Sequence, residues 1–336
     1  MILFLSLGCA PPEHFPRKER TPASQRRIEG WDLQAALGQP FTLVGVNYPL
    51  TNQRLYAVGE DAEVLSFIEL PEWVYDPDTG EEMPGILMDF ELLDNGHIVF
   101  AMMNKGVFEI DPDGEVVDQR ISDASHDFDV LPNGNLLEAN TWAAKGDYQI
   151  TERDPEGEVV WGWRAQQLRS PDVRDVEEHF EGWLHINSVE RLSDGITRGC
   201  LRDANQIVDI DASGEIVRTL TPKKGERPHG METTDAGTVL VATREPNRIA
   251  EIDLETGEEV WAFGDSDLRG IRDIDRLPNG NTLFTAEHEV VEVTPDREVA
   301  WKWIVPEIEG QALPMDEVTP VMATLRVQAD GSFSNR

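Results

Sequence analysis

One phrase recurs along this chain of 336 residues, and its recurrence limits the fold more than any bulk property does. Aligned on a glycine, the copies read "FELLDNGHIVFA", "FDVLPNGNLLEA", "SVERLSDGITRG", "METTDAGTVLVA" and "DIDRLPNGNTLFTA", with that glycine at Gly96, Gly134, Gly195, Gly237 and Gly280. The intervals are 38, 61, 42 and 43 residues. A second phrase follows each copy: "FEIDPDGEVV", "TERDPEGEVVWGW", "VDIDASGEIV", "AEIDLETGEEVWAF" and "VEVTPDREVAWKW". Asn-Gly and Asp-Gly turns between β-branched runs are hairpin signals, so each unit reads strand, tight turn, strand, strand, acidic turn, strand. Four strands in a period of about 40 residues make one blade of a β-propeller.

Five blades are explicit. A sixth is split between "PFTLVGVNYPLTNQRLYAVGEDAEVLSFIEL" near the start and "VTPVMATLRVQADGSFS" near the end, because pairing those segments in one sheet closes the ring. The expected fold is therefore all-β, a six-bladed β-propeller of four-stranded blades over residues 36–330. The surplus in the 61-residue interval lies in "RAQQLRSPDVRDVEEHFEGW", where Ser170 before Pro171 reads as a capped helix start. A short helical insertion is expected there, around 165–182. Residues 1–9 join a brief apolar run to Cys9 in a pattern that resembles a bacterial lipobox, in which the chain is cut before the cysteine and the thiol is lipidated. Residues 10–35 read as a disordered linker. The corresponding expectation is an exported protein, lipid-anchored at the periplasmic or outer cell surface through Cys9 and touching membrane in no other way. With Cys9 so used, Cys200 has no intramolecular disulfide partner.

Charge narrows the partners. Asp and Glu total 64 against 29 Lys and Arg, a formal charge of −35, which excludes nucleic acid and anionic membrane surfaces as natural partners. Any anion site must be a local basic island.

The repeat shows where such an island lies. Eight residues before each turn glycine stand Met88, His126, Asn187, His229 and Arg272, equivalent positions at the start of the strand that lines a propeller's central channel. His185 precedes Asn187 by two residues, which in an extended strand puts both on one side. Seven residues after the glycines stand Met103, Thr141, Arg202, Arg244 and Glu287, and a hairpin returns them to the same end of the blade. One mouth of the channel should gather three histidines, two or three arginines and an asparagine. The copies agree elsewhere because they build one hairpin; they differ here because each blade supplies a different side chain to a shared site. Asp89, Asp127 and Asp273, one position further on, are expected to orient the strand start by hydrogen bonds within the blade.

Histidines beside arginines and an amide suit a tetrahedral oxyanion: Arg offers paired donors, and neutral His can attack sulfur or phosphorus or move protons near neutral pH. No phosphate-cradling glycine loop is present to hold a nucleotide.

His126 in "SHDFDVLPNGN", His185 and Asn187 in "HINSV", Arg202 in "LRDANQIVDID" and His229 in "PHG" ahead of "NRIAEID" resemble the bacterial arylsulfate sulfotransferases, six-bladed propellers, over roughly residues 85–305. The resemblance implies an enzyme that moves a sulfuryl group from an aryl sulfate donor to a phenolic acceptor through a sulfohistidine, PAPS-independent, with no cofactor and no metal. It implies His229 as nucleophile, with His185, Asn187 and Arg202 on the sulfuryl oxygens. It also implies His126 as proton donor to the departing phenolate or as a further sulfate contact. Arg272 and Arg244 join the set from the repeat phase. By its length this chain is not expected to carry the extra N-terminal β domain or the disulfide of well-known members.

Three other readings stay open. "RDPEGEVVWGW" and "IDLETGEEVW" resemble the tryptophan-docking repeats of PQQ quinoproteins, although Trp161 and Trp261 could simply lock blades together. His126, His185 and His229 could bind zinc with Asp127 or Asp273. A non-catalytic interaction scaffold is the third.

Overall fold

The computed structural model describes residues 39–48, 53–70, 73–75, 82–84, 86–103, 106–120, 122, 124, 126–165, 182–223, 226–244, 246–264, 268–306, 321–328 and 333. Cys9, the linker, and the Ser170–Pro171 insertion with His179 lie outside them. The described residues form six four-stranded antiparallel sheets, a small hairpin of Trp73–Tyr75 with Glu82–Pro84, and no helix. No helix among them is long and apolar enough to cross a membrane.

Blade 1 has the spatial order Val321–Val327, Phe41–Val46, Arg54–Gly59, Val64–Glu69, so a strand from near the end of the chain is the innermost strand of the first blade. The expected split blade is therefore present and closes the ring. Blades 2 to 6 follow in chain order, beginning with innermost strands Leu87–Leu92, Phe128–Val130, Ile186–Arg191, Pro228–Thr233 and Ile274–Arg276.

The five repeated glycines have φ between +77° and +86°. In the third blade Gly134 N donates to Leu131 O at 2.8 Å and Leu131 N to Asn135 O at 2.9 Å. Glycine thus occupies the fourth position of a Leu-Pro-Asn-Gly turn, where a left-handed backbone excludes most residues; Pro132 presets the turn's second position. Blade 6 repeats this geometry at Leu277 to Gly280.

A propeller has no single core. Six hydrophobic clusters among the described residues each lie between two neighbouring blades. In the strand Phe41–Val46, Phe41 and Leu43 face blade 2 while Val44 and Val46 face blade 6. Period-two alternation therefore feeds two cores, which is why these strands are apolar at nearly every position.

Tryptophans clip three of the seams. Trp161, Trp261 and Trp301 donate their indole N–H to Ala212 O (3.2 Å), Pro295 O (2.8 Å) and Glu60 O (2.9 Å) of the next blade. Arg191, Arg276 and Arg326, from those next blades, lie over the same three rings and reach back to Glu152, Glu251 and Glu292. The tryptophan phrase is thus used in blade-to-blade adhesion.

Each innermost strand has one edge unpaired within its sheet, and buried backbone donors need partners. The previous blade provides them. Glu91, Asp129 and Glu232 accept from the backbone N–H of Val130, Arg191 and Arg276, and Glu190 accepts from the Thr233 hydroxyl. Asp127 and Asp273 do the same for Val189 and Thr324, each 2.8 Å away. These two aspartates therefore tie one blade to the next, a role that the expectation of bonds within the blade did not include. The carboxylate five residues before every turn glycine was visible in the alignment, but not its target.

Candidate active site

The side chains eight and seven residues before the turn glycines meet on the axis. Met88, His126, Asn187, His229 and Arg272, together with Asp89, Asp127, Ser188, Gly230 and Asp273, line one cavity of about 20 Å³, and Met322 completes the ring from blade 1. Blades 1 and 2 thus supply methionines and blades 3 to 6 supply polar groups.

Consecutive residues share this wall because the strands are irregular at their starts. Pairing shifts register across Leu87/Asp89, Ile186/Ser188 and Pro228/Met231. Such bulges re-aim side chains. His185 reaches the site in a different way from the expected alternation. It precedes the strand Ile186–Arg191 and has φ +51°, a left-handed backbone for a non-glycine residue. Arg227, just before "PHG", has φ +46°. Strained backbone of this kind persists where surrounding contacts over-determine it. At Gly230 a Cβ would fall 2.1 Å from the carbonyl oxygen of Arg272. Only glycine lets blade 6 approach so closely that Arg272 reaches His229.

The three histidine rings form a cluster. The His126 centroid is 5.1 Å from that of His185 and 5.7 Å from that of His229. Arg202 Nη1 lies 2.9 Å from His185 Nε2, and Arg272 Nη1 lies 3.4 Å from His229 Nε2. A guanidinium only donates, so both Nε2 atoms carry a lone pair and the ring protons sit on Nδ1. Asn187 Nδ2 donates to Pro228 O at 3.4 Å, bridging blades 4 and 5.

The electrostatics are those of an anion site. Arg202 is held by Asp203, which also receives Arg227. Arg272 is buried and has no carboxylate partner among the described residues; its Nε lacks any hydrogen-bond partner, as do Asn187 Oδ1 and Ser188 Oγ. Burial, then repulsion from Arg244 and Arg202, pushes the Arg272 guanidinium down to about 9, still charged at neutral pH. Burial first, then Arg272, His126, Arg244 and His185, hold His229 well below the ordinary histidine value. The basic island expected within an acidic body is present, and it depresses the one imidazole closest to Arg272.

All seven residues expected at the mouth converge or interact there: His126, His185, Asn187, Arg202, His229, Arg244 and Arg272. Thr141 is diverted to structure, its hydroxyl donating to Ile186 O at 2.5 Å. Asp203 and Trp142 were not expected at the mouth. Asp203 adjoins Arg202 in sequence, but nothing in the repeat marks it as a clamp. Among the described residues no group of three or more His, Cys, Asp or Glu side chains is arranged to hold a metal ion.

Residues 71–225 match the family model described as arylsulfotransferase (ASST). The match spans just under half of the chain, and together with the six-bladed fold it supports the arylsulfotransferase family. The matched segment carries His126, His185, Asn187 and Arg202, while His229, Arg244 and Arg272 come from blades 5 and 6 beyond it. No curated protein matches the chain significantly. Among solved structures, a protein of unknown function from Bacteroides caccae is 17% identical, with a TM-score of 0.57, over 85% of this chain and 98% of its own. A streptogramin B lyase is 15% identical, with a TM-score of 0.52, over 84% of this chain and 89% of that one. A virginiamycin B lyase from Staphylococcus aureus is 14% identical, with a TM-score of 0.51, over 80% and 89%. At these identities the likeness concerns the propeller fold alone.

Proposed function

We propose that the channel mouth transfers a sulfuryl group from an aryl sulfate to a phenolic acceptor through a covalent sulfohistidine on His229, without a nucleotide donor. One observation carries this reading: a buried imidazole, kept unprotonated by its surroundings, presents the lone pair of Nε2 to an uncompensated guanidinium. A nucleophile must be unprotonated, and an unpaired buried arginine attracts the anion to be attacked.

The 3.4 Å contact between Arg272 and His229 is long and readily exchanged. When a sulfate ester enters, Arg272 donates to sulfuryl oxygens instead, and the Nε2 lone pair is freed. Nε2 bonds to sulfur, the bond from sulfur to the aryl oxygen breaks with its electron pair on that oxygen, and His126 supplies the proton that makes the phenol. His229 retains its Nδ1 proton, so the intermediate is an imidazolium bearing a sulfonate. In the second half, the acceptor phenol gives its proton back to His126 while its oxygen displaces Nε2 from sulfur. Arg202, Arg244, Arg272, His185 and Asn187 hold the oxygens as charge redistributes, the role of an oxyanion site.

The test is incubation of 4-nitrophenyl sulfate with the protein, with and without added phenol, for wild type and His229→Ala. The expected result is nitrophenolate release that depends on acceptor, a stable sulfonate adduct on wild type exposed to donor alone, and loss of both in His229→Ala by at least ~10³-fold. Adduct on any other residue, or equal turnover without acceptor, overturns the covalent transfer route.

A further inference from the structure

Trp142 lies one residue beyond the position seven after Gly134, and the mechanism above gives it no task. The residue is 43% exposed, whereas Trp163, Trp183 and Trp303 are buried. A large aromatic side chain left in water forgoes the burial that ordinarily stabilises it.

Its placement is fixed, not incidental. The ring centroid lies 6.1 Å from that of His126 and 5.7 Å from that of His185, at interplanar angles of 68° and 71°. The Thr141 hydroxyl anchors the preceding residue to blade 4, and Trp183 N donates to Ala143 O just after it. Gly182 crosses so closely that a Cβ there would stand 2.4 Å from Thr141 O and 3.0 Å from Trp142 Cα. An exposed indole is thus mounted on backbone held from both sides.

The size of the site says what this wall is for. The cavity of about 20 Å³ between the histidines and Arg272 has room for about one water, too little for an aromatic ring. A sulfuryl group held by the histidines and arginines leaves its aryl group at the mouth. The His126 ring lies 5.7 Å from that of His229 and 6.1 Å from that of Trp142, centroid to centroid, so it neighbours both the nucleophile and the indole.

We infer that Trp142 receives the aromatic ring of donor and acceptor in turn and sets the preference for aryl over alkyl groups. This rests on the transfer reading for its substrates, but binding can be measured apart from turnover. The experiment titrates 4-nitrophenol into the full chain by calorimetry and by tryptophan fluorescence, for wild type, Trp142→Phe and Trp142→Ala. Sulfate-induced thermal stabilisation serves as the control that fold and anion site are intact. The expected result is about 10-fold weaker 4-nitrophenol binding in Trp142→Ala, recovered in large part by Trp142→Phe, with the fluorescence quench lost in both. In turnover, KM for 4-nitrophenyl sulfate rises by a similar factor while kcat changes little. Wild-type affinity for 4-nitrophenol in Trp142→Ala overturns the assignment, as does absence of binding to the wild type. If wild type binds 4-nitrophenol through Trp142 yet never releases it from 4-nitrophenyl sulfate, the aromatic site stands and the transfer reading fails.

Discussion

Replacing Arg272 with methionine should make the anion-free protein more stable while destroying its activity. The Arg272 residue is 9% exposed, lacks a carboxylate partner among the described residues, and has its guanidinium pushed well below the ordinary arginine value, to about 9, by burial and by Arg244 and Arg202. At ~1.4 kcal/mol for each tenfold change in proton affinity, this corresponds to about 5 kcal/mol opposing the charge. Methionine keeps much of the side-chain volume and removes the charge. It also loses the weak bond to His229 and some packing, which together offset about 2–3 kcal/mol. The net gain is about 2–3 kcal/mol, or roughly 3–5 °C in Tm for a propeller of this length. Sulfate at about 100 times its Kd should add ~2.7 kcal/mol to wild type through linkage and far less to the variant, so the gap closes or reverses. The assay is thermal unfolding by circular dichroism in chloride-free buffer, with and without sodium sulfate, beside turnover of 4-nitrophenyl sulfate. If Arg272→Met melts below wild type without sulfate, or if sulfate raises both by the same amount, the idea of an uncompensated charge awaiting an anion is refuted.

Two further outcomes follow from the same geometry. Because His229 is depressed well below 6.5, it stays neutral as pH falls through the ordinary histidine range and loses its lone pair only at distinctly lower pH. A profile of kcat/KM at constant ionic strength should therefore show its His229 limb displaced to the acid side of 6.5; a limb centred at or above that value contradicts the assignment. In Gly230→Ala the new methyl meets the Arg272 carbonyl at 2.1 Å, which forces blades 5 and 6 apart at the mouth. Activity should fall at least ~10-fold with a smaller proportional loss of Tm, checked by parallel kinetics and melting.

The position of the site was legible because a propeller repeats its geometry as well as its sequence. Once the turn glycines were aligned, equivalent side chains had to face one axis, and His126, Asn187, His229 and Arg272 stood out against the methionine of the second blade. His185 also reaches the site, but through a left-handed φ and not through the strand alternation on which that expectation rested. For Asp127 and Asp273 the phase did not show that each also binds the next blade, because it says which way a residue points but not which blade receives it.

Local periodicity and turn chemistry were sufficient for the blades and composition for the acidic charge, while closure, which pairs Val321–Val327 with Phe41–Val46 from opposite ends of the chain, was legible because a ring of repeats leaves one blade to be completed by both ends. Distance between blades was decided only in three dimensions. The 2.1 Å approach at Gly230, the unshared charge of Arg272 and the indole of Trp142 against two imidazoles each depend on how neighbouring sheets pack. Proton affinity follows the same rule: His229 differs from an exposed histidine because it is buried and, after that, because four cationic or imidazole side chains from three other blades and its own crowd it.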